Sequence, residues 1–544
     1  MSSTIYSAFK KTAMHWPQND FMMVLPETAD IYQIEAGALS YEDALAEIDR
    51  LSALYEAAGY GHGHRVGILL ENRPAFILHW LALNRLGVSI VPINPDLRIA
   101  ELEYLIQHSE MILAVALANR HADLSAAAHQ ANYQLALITP DQLPPAAPAT
   151  APLADRTINA DTECALMYTS GTTGRPKGCM LSNTYFHFSG EWYAELGGLA
   201  TLRPGLERML TPLPLFHMNA LATSTMAMIK TGGCLIVLDR FHPRTWWESV
   251  RQSQATVIHY LGVMPAILMK LEASEQDRNH AVRFGFGAGV DGTLHQQFEN
   301  RFGFPLLEAW AMTETGAAAC IIANHEPRYI GTNCFGKETA AVEVKLVDDQ
   351  GQEVPINTNG ELLVRRSGDN PRHGFFSGYW KDPTATAEAW ADGWFHTGDI
   401  VRRDENGYLH FVDRKRNVIR RSGENIAAVE VENVMQQHPA IRSIAVTAVP
   451  DPIRGDEVMA LIVPHTLPTE TAEQQALATE IVTWGLSQLA YFKVPGYVKF
   501  VEALPLTSTN KIQRGELKTL GLALLEAEDY INTNHLKRRQ EVVS

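Results

Sequence analysis

The sequence predicts an α/β protein with a large N-terminal domain of layered α/β subdomains plus a β-rich subdomain, followed by a small α+β C-terminal domain. Three observations predict it: strand–helix alternation from about Arg65, paired strands after about Ala340, and a compact helix–strand rhythm from about Arg414. At 544 residues the chain is past the size at which a single hydrophobic core stops growing.

In the first part, the apolar runs RVGILL, VSIVPIN and MILAVAL are separated by PAFILHWLALNRLG and ELEYLIQ, which carry helical periodicity. That rhythm marks βαβ units and a largely parallel sheet. A Pro/Ala-rich stretch from Pro140 to Leu153 interrupts it and reads as a surface connection between two lobes. The pattern resumes in ECALMY (163–168), CLIVLD (234–239), ATVIHY (255–260) and RFGFGAG (283–289).

In the second part, VEVKLVDDQGQEV, GELLVRR and VRRDENGYLHFVDR set turn residues between strand-like runs, which predicts the β-rich subdomain. In the third, VEVENVMQQH reads as helix, IRSIAVTAV and EVMALIVP as strands, and TAEQQALATEIVTWGLSQL as a long helix. The expected domains are 1–413 and 414–544.

Apolar residues make up 46% and charged residues 19%, the balance of an ordinary globular protein. A formal net charge of −16 argues against nucleic-acid or anionic-membrane partners, which clustered Lys and Arg recruit. Any anionic substrate must then meet a local basic site. Cys164, Cys179, Cys234, Cys320 and Cys334 form no CxxC pair, which favours reduced, buried thiols. The opening residues lack the apolar core of a signal peptide, and no apolar run approaches the ~18 residues of a membrane span. The expectation is a cytoplasmic protein whose oligomeric state is open, a homodimer included.

Chemistry concentrates in Tyr168-Thr-Ser-Gly-Thr-Thr-Gly-Arg-Pro-Lys-Gly178, which follows a predicted strand. Glycines let backbone N–H groups close around an anion. The hydroxyls of Thr169, Ser170, Thr172 and Thr173 donate to phosphate oxygens, and Lys177 supplies charge. A P-loop requires lysine directly after the last glycine, whereas Arg175 and Pro176 intervene here, so that template fails. A Gly/Thr-rich surface turn is the plainer alternative.

This loop resembles the [YF]TSGTTGxPKG signature of the acyl-adenylate-forming superfamily of acyl-CoA synthetases, nonribosomal-peptide adenylation domains and beetle luciferases. The resemblance implies ATP binding by Thr169, Ser170, Gly171, Thr172, Thr173, Gly174 and Lys177, and continues through four further motifs in the superfamily's order. Trp310-Ala-Met-Thr-Glu-Thr-Gly316 is similar to YGxTE, with Trp310 at the adenine-stacking position and Thr313 and Glu314 beside the phosphates. Glu314 is the implied ligand of Mg²⁺, a hard ion that takes carboxylate and phosphate oxygens. Phe395-His-Thr-Gly-Asp399 resembles the TGD motif, in which the acceptor-only carboxylate of Asp399 takes the ribose hydroxyls.

Asp413 to Asn425 resembles GRxKDxIxxxGxxI, implying Arg414 at the ribose, Arg416 at the interdomain hinge, Arg420 and Asn425 at the adenylate, and Gly423 at the pantetheine arm of coenzyme A. Pro505 to Arg514 resembles PxTxxGKIxR, which makes Lys511 the adenylation lysine, a point charge between carboxylate and α-phosphate. Asn510 replaces the usual glycine, and asparagine also tolerates positive φ.

Matching further positions puts Gly289, Glu308 and Ala309 at the nucleotide and Asn219, Thr223, Ala288, Gly289, Ala309 and Ala311 at the acyl group. His217 falls at the thioester tunnel and Arg240 at the CoA nucleotide. Catalytic roles are thereby implied for Lys511, Glu314, Thr169 and His217. The implied substrates are ATP, a carboxylic acid and coenzyme A, with the small C-terminal domain turning between two half-reactions. Within the superfamily, FVDRKRNVIRRSGENIAAVEVENV and FHPRTWWESVRQSQATVIHYLGVMP point to crotonobetaine/carnitine–CoA ligase and its relatives. Trp192 and Tyr193 are read either as core or as an aromatic embrace for a quaternary ammonium. A carrier-loading adenylating enzyme and a non-catalytic nucleotide-binding regulator are the alternatives.

Overall fold

The computed structural model describes residues 4–149, 157–169, 175–414, 418–505 and 512–538, with backbone alone at Asp413 and Arg414. Four sheets organise these residues. The first runs in spatial order Ile321–Ile322, Leu306–Trp310, Phe284–Ala288, Val257–Leu261, Arg208–Thr211, Cys234–Val237, Asp20–Val24 and Gly37–Ser40. From Leu306–Trp310 through to Asp20–Val24 its neighbours are parallel. Their near-continuous apolar sequences fit burial on both faces.

The second sheet is ordered Gly378–Tyr379, Lys177–Ser182, Glu163–Thr169, Ser89–Pro92, Arg65–Leu69, Leu113–Ala116 and Ala136–Ile138. Both Ala136–Ile138 and Glu163–Thr169 belong to it. The Pro/Ala-rich stretch between them therefore returns within one sheet and does not join two lobes. Its described part is pinned by Ala147 N–H on Ala58 O at 2.7 Å, and Pro148 O lies 2.9 Å from His64 Nε2. A compositional signal marks a loop but not the strands that the loop connects.

Glu163–Thr169 and Lys177–Ser182 form an antiparallel hairpin that sets Thr169 opposite Lys177. The segment bearing the phosphate-loop motif joins them. The third sheet, Val342–Val347, Asn359–Arg366, Phe395–Arg403 and Leu409–Arg414, is antiparallel throughout and sets Asp399 opposite Arg414. It is the β-rich subdomain read from the hairpin texture.

The fourth sheet joins Glu424–Ala427, Val418–Arg421, Gly455–Pro464, Tyr497–Phe500 and Ile531–Asn532, with Ile441–Asp451 on Gly455–Pro464. Helices Ala428–Met435 and Thr471–Gln488 pack on one face and Arg514–Glu526 on the other. Buried apolar clusters divide in the same way. Three contain residues up to Leu409, and two contain residues from Ile419 onward. The chain thus builds a large N-terminal and a small C-terminal unit, each with its own core.

Candidate active site

A cavity of about 310 Å³ opens at the carboxyl ends of the parallel strands Val257–Leu261, Phe284–Ala288 and Leu306–Trp310. Parallel α/β sheets gather ligands at this end, where loops leave the strands and backbone groups lack ladder partners. The third sheet contributes Phe395 to Asp399, and the hairpin of the C-terminal domain contributes Val418, Arg420, Gly423 and Asn425.

Glu314 lies on the wall, 6% exposed. Its Oε1 accepts from Tyr379 Oη at 2.9 Å and from Thr169 Oγ1 at 3.5 Å. Lys177 Nζ stands 4.8 Å above the Tyr379 ring. A carboxylate and two hydroxyls are thus held beside a lysine at the mouth of the phosphate-loop hairpin. This donor set fits Mg²⁺, which binds through one or two carboxylates plus substrate phosphates.

Asp399 is 2% exposed and lines the same cavity. Its Oδ2 accepts the Trp310 indole N–H at 2.8 Å, and its own N–H is held by Thr397 Oγ1 at 3.0 Å. A buried acceptor with a fixed orientation suits a pair of vicinal hydroxyls. Trp310 is 6% exposed, packs 6.2 Å from Phe335 and is not part of the cavity wall. Its indole N–H reaches the cavity through Asp399.

The Glu308 carboxylate takes the N–H groups of Gly289 at 2.8 Å and Val290 at 3.0 Å and the Tyr260 hydroxyl at 3.2 Å. Those bonds brace the turn after strand Phe284–Ala288, so neither Glu308 nor Gly289 is on the wall, whereas Ala288, Ala309, Ala311 and Thr313 are. Arg240 is more than half exposed, 3.6 Å from Asp239, and lines neither this cavity nor its neighbour. Surface charge satisfied by an adjacent carboxylate leaves its expected place at the CoA nucleotide a proposal.

Asn219 and Thr223 lie on the wall with Trp192 and Phe286. Asn219 Oδ1 is 2.7 Å from His259 Nδ1, and Tyr193 Oη is 3.2 Å from His259 Nε2. Burial pushes the His259 imidazole down to about 3, so the ring is neutral at pH 7. Trp192 is thus a wall residue and Tyr193 a core residue.

His217 Nε2 lies 3.4 Å from Glu424 of the C-terminal hairpin, where the first cavity meets a second of about 520 Å³. Gly423 has φ +90°, a left-handed conformation that favours glycine, and a Cβ there would meet the end of the Leu261 side chain. Ser170, Gly171, Thr172, Thr173, Gly174, Arg416 and Lys511 lie outside the described residues, as does the side chain of Arg414. The sequence reading missed Tyr379 and Glu424. Glu424 sits inside the quoted motif, but a lone Tyr in GYW carries no local signal.

Residues 11–380 match the family model for AMP-binding enzymes, and residues 430–511 match that for the AMP-binding enzyme C-terminal domain. The chain belongs to the AMP-binding enzyme family. A curated family relative, crotonobetaine/carnitine–CoA ligase of Escherichia coli O45:K1, is 31% identical over 511 residues, covering 90% of this chain and 96% of that protein. A double mutant of o-succinylbenzoate-CoA synthetase from Bacillus subtilis aligns with a TM-score of 0.78 at 24% identity, covering 94% and 97% of the two chains. Mycobacterium tuberculosis fatty acyl-CoA synthetase aligns with a TM-score of 0.64 at 23% identity, covering 96% and 98%. At those identities the structural likeness is one of fold.

Proposed function

We propose that this AMP-binding enzyme is an ATP-dependent carboxylate–CoA ligase that works through an acyl adenylate. The convergence of Glu314, Asp399 and the Gly423 hairpin on one cavity carries the reading. In the first half-reaction a carboxylate oxygen of the acid attacks the α-phosphorus of ATP and pyrophosphate leaves. Asp399 holds the ribose, Thr169 and Lys177 hold phosphate oxygens, and Lys511 supplies charge to the transition state. Mg²⁺ held by Glu314 would neutralise phosphate charge. In the second, the thiol of coenzyme A attacks the acyl carbonyl and AMP leaves, with Gly423 admitting the pantetheine arm beside His217 and Arg240 at the CoA nucleotide.

The domain boundary is proposed at 413/414, with Arg416 at the hinge. The acid is proposed to be carnitine-like or another medium-sized acid. The 31% identity to crotonobetaine/carnitine–CoA ligase supports this, as does an acyl end walled by the neutral side chains of Trp192, Asn219, Thr223, Phe286 and Cys320. A cytoplasmic location is proposed from five cysteines that are all free and buried. Among the described residues no helix is long and apolar enough to cross a membrane.

The test is AMP release across a panel of carboxylic acids with and without CoA. Acid-dependent pyrophosphate release with CoA-dependent thioester formation is the expected result. Acyl-AMP accumulation indifferent to CoA would favour another acceptor, and no release with any acid would favour a binding protein.

A further inference from the structure

A buried ionic cluster ties the two domains together next to the cavity. Lys493 Nζ lies 2.6 Å from Glu101 Oε1 and 2.6 Å from Glu430 Oε1, and the three side chains are 8%, 10% and 8% exposed. Glu101 belongs to helix Ile99–Ser109 of the N-terminal domain, and the other two belong to the C-terminal domain. The second oxygen of Glu101 takes the N–H of Ala490 at 2.9 Å and that of Arg98 at 3.0 Å. Burial opposes the charge on Lys493, yet the two carboxylates raise it above an ordinary lysine, so it is an ammonium at pH 7.

The cluster separates cleanly by domain. Lys493 and Glu430 form a pair inside the C-terminal domain. Glu101 supplies the N-terminal half of the contact. Glu430 lies on the helix Ala428–Met435, which starts directly after the strand carrying Asn425, so Glu430 is joined to the Gly423 hairpin through contiguous elements of one domain. Ile512 packs instead with Ala445, Val449, Met459 and Leu517, none of which lines the cavity. This orientation therefore presents the hairpin to the cavity and does not present the segment that begins at Ile512.

We propose that Glu101 is a positioning residue for thiol transfer: its bonds to Lys493 and Ala490 hold the C-terminal domain in the orientation that sets Arg420, Gly423 and Asn425 on the cavity. Glu101 has no part in acyl-adenylate formation. The proposal rests on the two half-reactions of the function proposed above. Glu101→Gln keeps the shape and an acceptor oxygen while removing the charge that attracts Lys493.

The two half-reactions are measured separately: acyl-AMP formation without CoA, and thioester formation from supplied acyl-AMP. Glu101→Gln is expected to slow thioester formation about tenfold or more, the scale of a typical coupling between states, and to leave adenylation within about twofold of wild type. Glu101→Asp keeps the charge at shorter reach and is expected to lose less. Equal slowing of both steps, no slowing of either, or equal loss in the Gln and Asp variants overturns the proposal. Absence of both half-reactions in the unmodified protein, across the acid panel, overturns the function reading and this proposal with it.

Discussion

The indole N–H of Trp310 donates to Asp399 Oδ2 at 2.8 Å, joining the last residue of strand Leu306–Trp310 to strand Phe395–Arg403 of another sheet. The bond fixes the orientation of a buried carboxylate that the cavity presents to its ligand. Trp310→Phe keeps an aromatic ring and removes the donor. It is expected to raise the KM for ATP about tenfold, as a hydrogen bond to a charged group is worth roughly 1.5–3 kcal/mol. An unchanged KM for ATP in initial-rate kinetics would contradict this role.

Glu314→Gln is expected to lower acyl-AMP formation by about a hundredfold or more, the cost of losing a charge aimed at the transition state. Tyr379→Phe, which removes one hydrogen bond to Glu314 at 2.9 Å, should give a smaller loss in the same step. Pyrophosphate release with saturating acid measures both.

Lys511→Ala is expected to cut adenylation by about a hundredfold or more while thioester formation from supplied acyl-AMP is retained. Parallel loss of the two steps would rule out a lysine that serves only one of them.

Gly423→Ala meets the opposite fate. Positive φ penalises a residue with a Cβ at this point of the hairpin, and the added methyl would have to displace the end of the Leu261 side chain. Thioester formation is expected to fall while adenylation continues, and single-turnover rates of the two steps distinguish the outcomes.

Glu299 offers a pH test of stability. Although burial raises it, bonds from Arg328 at 2.6 and 2.8 Å, from His295 and from the Leu306 N–H hold its carboxyl at about 2, below the ordinary 4.5. A depressed carboxylate contributes stability that is full above the unfolded value and lost as pH falls from 4.5 towards 2. That contribution is roughly 3 kcal/mol. Glu299→Gln is expected to lose stability at pH 7 and to show a flatter decline below pH 4.5 in urea unfolding. A slope matching the wild type would show that Glu299 is not the group responsible.

Much of the site was legible because its chemistry is written in contiguous segments. Thr169, Lys177, Thr313, Glu314 and Asp399 each belong to a motif whose residue types suit phosphate, metal or ribose, and all five line the cavity. The bond from Trp310 to Asp399 was not legible, since ring identity alone does not say which way an indole faces. Glu308 takes the backbone N–H groups of Gly289 and Val290, a turn contact that periodicity does not reveal. Arg240 is more than half exposed beside Asp239, a position that the sequence alone does not reveal.

By itself the sequence determined the α/β class, the division into a large and a small unit and the motifs of an AMP-binding enzyme, because strand and helix periodicity and motif chemistry are local properties. Tertiary structure alone decided which of these residues meet. Trp310 with Asp399, Glu101 with Lys493, and His217 with Glu424 are each joined across large separations in the chain. Such pairs follow from how sheets pack and how one domain docks on another. That outcome sums many weak contacts over the whole fold, and no short stretch of sequence contains it.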